Sequence, residues 1–231
     1  MSTISTPAAR VAASSERSTG SRRWPLFGLA AGVLGAVGTL FTMTTADGTP
    51  VTAESVNKLS GTAYHIGGAA GYLAVACLLI LAAAWRAKVT RFLPGNVAAR
   101  LVADGITASA GALMLGYGWK LAMSLYLPNG LNDDNFDKQG RFVYYMLNDF
   151  GPFIGWLGVV IAAGAVAYLS LREKLIATWL GVVSLLPVIG VLGMSLGMSV
   201  AGYPGMVGPA WLILASAGLT FGTHRITALQ D

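Results

Sequence analysis

The chain has 231 residues, of which 55% are hydrophobic and only 11% are charged. Because soluble globular proteins carry about 25% charged residues, this composition excludes a water-soluble fold and predicts an integral membrane protein whose main partner is the lipid bilayer. The net charge of +5 does not indicate a nucleic-acid partner. The basic residues lie in short connectors, where membrane topology requires them.

The first 23 residues are rich in Ser, Thr, Ala and Arg. Such a segment cannot bury enough apolar surface to fold alone, so 1–23 is predicted to be a disordered basic cytoplasmic tail. A transit peptide and a twin-arginine signal at Ser21-Arg22-Arg23 are alternatives. The apolar run that follows is longer than a usual signal core, although cleavage after it stays open.

Six apolar segments reach the length of about 20 residues that is needed to cross a bilayer. They predict an all-α fold, a polytopic six-transmembrane-helix bundle over 24–223, with a short cytoplasmic tail at 224–231. The segments lie at about 24–45, 62–85, 101–127, 150–171, 176–199 and 204–223.

The connectors alternate in charge, which predicts the orientation of the bundle. Basic residues concentrate in the N-terminal tail, in 86–100, at Arg172 and Lys174, and in the C-terminal tail. By the positive-inside rule these are cytoplasmic, and both termini are therefore predicted to be cytoplasmic. Most acids fall on the opposite side: Asp47, Glu54, Asp133, Asp134, Asp137 and Asp149.

Tryptophans lie near the predicted segment ends, as in the aromatic belts of membrane proteins. This pattern predicts interfacial side chains that need no ligand. The six are Trp24, Trp85, Trp119, Trp156, Trp179 and Trp211.

The third segment carries Asp104 near its cytoplasmic end and Lys120 near its outer end. A charge at membrane depth is costly and is by default a functional-site hypothesis. The two are sixteen residues apart, about 24 Å along a helix, and cannot pair. Arg100 lies four residues before Asp104 on the same face, which predicts a structural ion pair. A proton-relay role for Asp104 is the alternative.

Lys120 has possible polar neighbours on the outer side. His65 lies in the first turn of the second segment, and Asp149 opens the fourth. We therefore predict a ligand-binding cluster of His65, Lys120 and Asp149 at the outer leaflet. The alternative is three independent interfacial residues that face water. Further polar groups expected on this side are Asp47, Tyr117 and Tyr144.

Helix-packing features complete the pattern. Pro187 lies midway along the fifth segment and should kink it, either as a hinge or for packing alone. Glycines four residues apart create flat helix faces that pack within the bundle, against a second copy or against another membrane protein. The pairs are Gly28/Gly32, Gly67/Gly71, Gly151/Gly155, Gly193/Gly197 and Gly218/Gly222.

The sequence predicts no metal site, no cofactor and no catalytic residue. The acidic connector 128–149 lacks the calcium-loop pattern, and Met194, Met198 and Met206 are better explained by packing than by Cu(I). The Gly193–Gly197 match to G-x-S-x-G falls inside a predicted helix, where a nucleophile elbow cannot form. The single Cys77 excludes an intrachain disulfide.

Three features together carry a resemblance. They are the Ser/Thr/Arg tail, the segments dominated by Ala, Gly and Val, and the stretch Tyr203-Pro-Gly-Met-Val-Gly-Pro-Ala-Trp211. In these the chain resembles small six-span integral membrane proteins of high-GC bacteria that carry no assigned activity. The resemblance implies a multi-pass protein of the bacterial plasma (inner) membrane and transfers no functional residue.

Three functions are compatible with these features. The first is transport or sensing of a small solute through a polar site at the outer leaflet. The second is a structural or accessory subunit that packs through its glycine faces. The third is a membrane enzyme acting on a lipid-borne substrate, with His65 as a base. We favour the first, a non-enzymatic role. The scarcity of interior polar residues counts against active ion coupling, which usually needs carboxylates at mid-membrane.

Overall fold

The computed structural model describes residues 23–41 and 50–222, and the secondary structure in these ranges is entirely helical. Two single-turn 3₁₀ helices, Thr90–Phe92 and Asp133–Asn135, lie in connectors, and a π-helical segment covers Val191–Gly197. Residues 1–22 and 223–231 of the predicted tails, and Asp47, lie outside the described residues. The α helices are α1 Leu26–Leu40, α2 Ala53–Val56, α3 Gly61–Lys88, α4 Val97–Tyr126, α5 Lys138–Ile154, α6 Leu157–Leu171, α7 Thr178–Gly190 and α8 Tyr203–Phe221.

Five helical stretches are long and apolar enough to cross a membrane. Together they suggest a multi-pass membrane protein, in agreement with the predicted all-α class. The first predicted segment, 24–45, appears as the 15-residue apolar helix α1, which is shorter than the other five. The five stretches are Gly61–Phe92, Val97–Tyr126, Lys138–Leu171, Thr178–Gly197 and Tyr203–Phe221.

The fourth segment begins twelve residues earlier than the predicted start at 150, because α5 begins at Lys138. The Asp137 side chain caps this helix by accepting a 2.7 Å hydrogen bond from the Gly140 backbone N–H. Polar residues in the first turns of α5 made this stretch resemble a connector, although its pattern is that of an amphipathic helix. After Ile154 the helix breaks for two residues and resumes as α6.

Helix α4 lies at the centre, in contact with α3, α5 and α6. Close approach depends on glycine at two points. Gly71 of α3 lies against the ring of Tyr117, and the backbone of Gly151 in α5 meets that of Gly116. Most of the predicted glycine faces are thus covered inside the chain. By contrast, a Cβ added at Gly193 in the π-helical segment would meet nothing within 4 Å.

The bundle has two chemically different ends. The connectors 89–96 and 172–177 form the basic end, and the connectors 50–60, 127–137 and 198–202 form the acidic end. The described chain starts and finishes at the basic end. Trp24, just before α1, packs edge-on against Trp85 with ring centroids 5.9 Å apart, and Gly218 of α8 lies against Trp179.

The aromatic-belt prediction is wrong for four of the six tryptophans, because Trp24, Trp85, Trp156 and Trp211 are buried. Trp85 donates its indole N–H to the Ala99 carbonyl at 2.8 Å, and Trp211 donates to Ser184 Oγ at 2.9 Å. An indole whose N–H is satisfied internally has no need of the interface. Only Trp119 and Trp179 are substantially exposed.

Pro187 lies inside α7, which changes into the π-helical segment at Val191. The Val191 N–H reaches both the Pro187 and the Val188 carbonyls, as the hydrogen-bond ladder changes register. Proline removes one backbone donor, and π-helical turns mark interruptions of the regular ladder. The G-x-S-x-G match lies in this segment rather than in a strand-turn-helix, and the hinge role of Pro187 stays a prediction.

Candidate functional site around Lys120 and Asp149

The first charge of α4, Asp104, is paired across helices. Its carboxylate lies 3.0 Å from Arg86 Nη2 of α3, which also donates to Thr107 Oγ1. The predicted pair with Arg100 is therefore wrong. An acid placed after its basic partner is the less favourable order within a helix, and the antiparallel α3 presents a guanidinium at the same depth. Both side chains of the observed pair are about half exposed or more.

The second charge, Lys120, is buried, with only 3% of the residue exposed. Its ammonium donates hydrogen bonds to the Gly38 carbonyl at 2.6 Å and to the Thr39 carbonyl at 3.5 Å. Both carbonyls belong to the last turn of α1, where the helix dipole is negative and no described backbone N–H donates to them. Lys120 thus caps α1 inside the bundle and does not extend to the headgroups.

A second set of hydrogen bonds holds the same end of α1. Trp156 Nε1 donates to Thr39 Oγ1 at 3.1 Å, Thr39 Oγ1 and Tyr117 OH are 2.8 Å apart, and Tyr117 OH donates to the Gly35 carbonyl at 3.3 Å. All of these groups are buried. The chain of donors fixes α1 to α4 and to the start of α6.

Asp149 lies on α5 beside this buried layer. Its carboxylate accepts a hydrogen bond from Tyr145 and interacts electrostatically with Lys120. Lys120 and Asp149 are not among the ion pairs of the described part of the chain. Their charges therefore interact across a distance longer than that of a direct salt bridge. Among the described residues, Asp149 is the acid whose charge acts on the buried ammonium.

Asp149 also lines a partly open cavity of about 420 Å³ at the acidic end. One wall is α5, with Phe150 and Phe153. The opposite wall is the connector 199–202 and Met206 of α8. The cavity therefore combines a carboxylate with aromatic and thioether surfaces.

Asn148, the residue before Asp149, points into the bundle and is 1% exposed. Neither its side-chain oxygen nor its nitrogen has a hydrogen-bond partner among the described residues. The Gly116–Gly151 contact sets the register of the antiparallel α4 and α5, and this register puts Asn148 at the depth of Lys120. A buried amide with no partner is costly and is normally satisfied by water or a ligand.

His65 does not join this site. It lies on an exposed face of α3, and its side chain makes no hydrogen bond or ion pair with any other described residue. Its neighbour Tyr64 faces the interior instead, with 3% exposure. Successive side chains on a helix point about 100° apart, so two neighbouring residues such as Tyr64 and His65 can face the interior and the outside respectively. Of the predicted cluster, the structure brings Lys120 and Asp149 near one another.

Sequence reasoning missed Thr39, Asn148 and Trp156 as site residues. Asn148 could have been noticed as a lone amide before an apolar run, and Trp156 was assigned to the interface. Thr39 carried no signal, because one hydroxyl in a Gly-rich segment is ordinary. Tyr144, expected nearby, donates to the Trp119 carbonyl at 3.4 Å.

A larger cavity, of about 580 Å³, lies at the basic end between α4 and α6. Its one carboxylate, Glu173, already accepts a 2.7 Å hydrogen bond from Asn96. This cavity therefore offers a ligand little polar chemistry. Among the described residues no group of three or more His, Cys, Asp and Glu side chains is arranged to hold a metal ion.

No protein-family model, curated protein or solved structure matches this chain.

Proposed function

We propose that this protein binds a small polar solute at its acidic end and moves or senses it without catalysing a reaction. The observation that carries the proposal is the Asp149 carboxylate in the wall of a 420 Å³ cavity, with buried Lys120 close behind it. Cavities of about 300–1,000 Å³ with few polar groups are typical of small-molecule sites. Ionisable residues retained at membrane depth typically mark solute pathways.

We further propose six crossings, with both termini cytoplasmic and the acidic end outside a bacterial plasma membrane. The basic connectors support this orientation through the positive-inside rule. The described chain starts and finishes at the basic end, which requires an even number of crossings. Counting α1 together with the five longer stretches gives such a number. In a Cys77→Ser background, Asp134→Cys should react with a membrane-impermeant maleimide in intact cells, whereas Lys174→Cys should not. The reverse labelling pattern would overturn the orientation.

Two observations favour solute binding over the other functions. The glycine pairs of α1, α3 and α5 contact helices of the same chain. These faces are therefore covered and leave little surface for binding another membrane protein, as an accessory subunit would need. His65 lies away from the cavity and is not placed to act as a base on a substrate there. A lipid-directed enzyme would also need an acid or nucleophile beside that base.

The proposal is tested by thermal unfolding of the purified protein against a panel of small amines, amino acids, carboxylates and sugars. We expect at least one class to raise the midpoint in a concentration-dependent way. Asp149→Asn should abolish that shift, while Asp134→Asn, an exposed loop acid, should keep it. Shifts of equal size in both variants, or a panel without any shift, would contradict binding in this cavity. Uptake by proteoliposomes then separates movement from sensing.

A further inference from the structure

Helix α1 ends inside the bundle. Its 15 residues span about 22 Å, less than the roughly 30 Å of a bilayer hydrocarbon core. The last described turn lies among α3 and α4, because Gly38 packs against Gly67 and Gly71 and its carbonyl bonds to Lys120. Interrupted helices in membrane proteins use such C-terminal ends to hold cations, because the carbonyls and the dipole are both negative there.

The Lys120 ammonium occupies this end of α1. It lies 2.6 Å from the Gly38 carbonyl, while Thr39 is held in place by Trp156 and Tyr117. The arrangement suits an ammonium group. Two carbonyls suit an ammonium group, which needs a few directed acceptors, and are far fewer than the about six to eight oxygens that a metal such as Ca²⁺ takes.

We propose that the C-terminal end of α1 is a binding site for a primary ammonium ion, formed by the Gly38 and Thr39 carbonyls, and that Lys120 is its tethered occupant. The chain thus carries its own cation where another membrane protein would take one from solution. The site is separate from the solute cavity, and the proposal does not depend on the proposed function.

Asn148, which has no hydrogen-bond partner among the described residues, gives independent support for an ammonium site at this end of α1. Its side chain is buried at the depth of Lys120, with oxygen and nitrogen both unbonded among the described residues. An ammonium that is not tethered to α4 has three N–H groups to orient, and the Asn148 oxygen is an additional acceptor for it. The site is therefore expected to accept a free amine when the lysine is shortened.

The test is chemical rescue. Lys120→Ala deletes a fragment equivalent to propylammonium, so its thermal midpoint should fall by roughly 5–10 °C. Propylammonium chloride should restore at least half of that loss. Propanol, which has the same carbon chain without the charge, should not, and neither should KCl at equal ionic strength. The rescue is counted as the part of the shift that exceeds the response of the wild type, in which the tethered ammonium of Lys120 already fills the end of α1.

The matched control is Lys138→Ala, which removes an exposed ammonium that pairs with Glu54 at 2.8 Å. It should respond to propylammonium no more than the wild type does. Equal rescue of Lys120→Ala by propanol would overturn the proposal, because it would show a filled cavity and not a cation site. An unchanged midpoint in Lys120→Ala would overturn it as well.

A second readout applies if Lys120→Ala does not accumulate as folded protein. The yield of monodisperse protein is then measured from cells grown with propylammonium or with propanol in the medium. The proposal requires that propylammonium raises the yield by about threefold or more and that propanol does not. A change of this size needs only a modest shift of the folding equilibrium when the variant is marginally stable. Identical yields in the two media would overturn it.

Discussion

The two charged side chains of α4 have opposite environments. Asp104 at the basic end is exposed and pairs with the flexible side chain of Arg86. Lys120 at the acidic end is buried and bonds to backbone carbonyls of α1. An exposed pair exchanges readily with water or headgroups, so its loss costs little. Among the described residues Lys120 is the donor to these buried carbonyls, so the same type of change should cost far more at Lys120.

The largest expected effect is that of Lys120→Met, which keeps the side-chain length and removes the charge. The carbonyls of Gly38 and Thr39 lose their donor, and Asp149 loses its neighbouring cation. We expect the free energy of unfolding to fall by about 2–4 kcal/mol. Tryptophan fluorescence during denaturation measures it. Lys138→Met is the control, and similar losses in both variants would remove the distinction between the buried and the exposed lysine.

Thr39→Val tests whether the buried layer works as a unit. Valine matches the shape of threonine but leaves the Trp156 indole N–H and the Tyr117 hydroxyl without their shared partner. The expected loss is about 1–3 kcal/mol, measured in the same unfolding assay. Thr62→Val, at an exposed position in the first turn of α3, should change stability far less. A Thr39 variant as stable as this control would show that the hydrogen-bond chain does not hold α1.

At the basic end, double-mutant cycles distinguish the observed partner of Asp104 from the one predicted by spacing. The Arg86–Asp104 cycle should give a coupling of about 0.2–1 kcal/mol at low salt, as exposed pairs do. High salt should reduce it. The Arg100–Asp104 cycle should give no coupling. A larger coupling with Arg100 would restore the intrahelical pair.

The smallest effect concerns the exposed pair that joins α2 to α5. The Lys138 ammonium, 2.8 Å away, holds the pKa of Glu54 below its ordinary value of 4.5. A carboxyl with a lowered folded-state pKa contributes stability above its unfolded pKa, and this is lost as the pH falls through the folded value. The stability difference between wild type and Glu54→Gln should therefore be constant near neutral pH and shrink below pH 4.5. A difference that grows on acidification would contradict the pairing.

The two charges of α4 also show what the spacing of residues along one helix can and cannot predict about ion pairs. The sequence showed that Asp104 and Lys120 lie too far apart to pair, since the rise per residue is fixed. It could not identify their partners. Arg86 comes from the preceding helix, and the acceptors of Lys120 are backbone groups, which look alike at every position of a sequence.

The sequence by itself determined the helical class, the approximate positions of most apolar helices and the chemical difference between the two ends, but not the start of α5 at Lys138. These follow from local quantities, namely apolar length and the charge of connectors. The tertiary structure decided that Tyr64 and not His65 faces inward, that Asn148 is buried with no hydrogen-bond partner among the described residues, and that Lys120 bonds to the carbonyls at the end of α1. The physical reason is that lipid and protein interior are equally apolar, so a membrane helix carries little periodic signal of its inward face. Only the contacts between helices select that face.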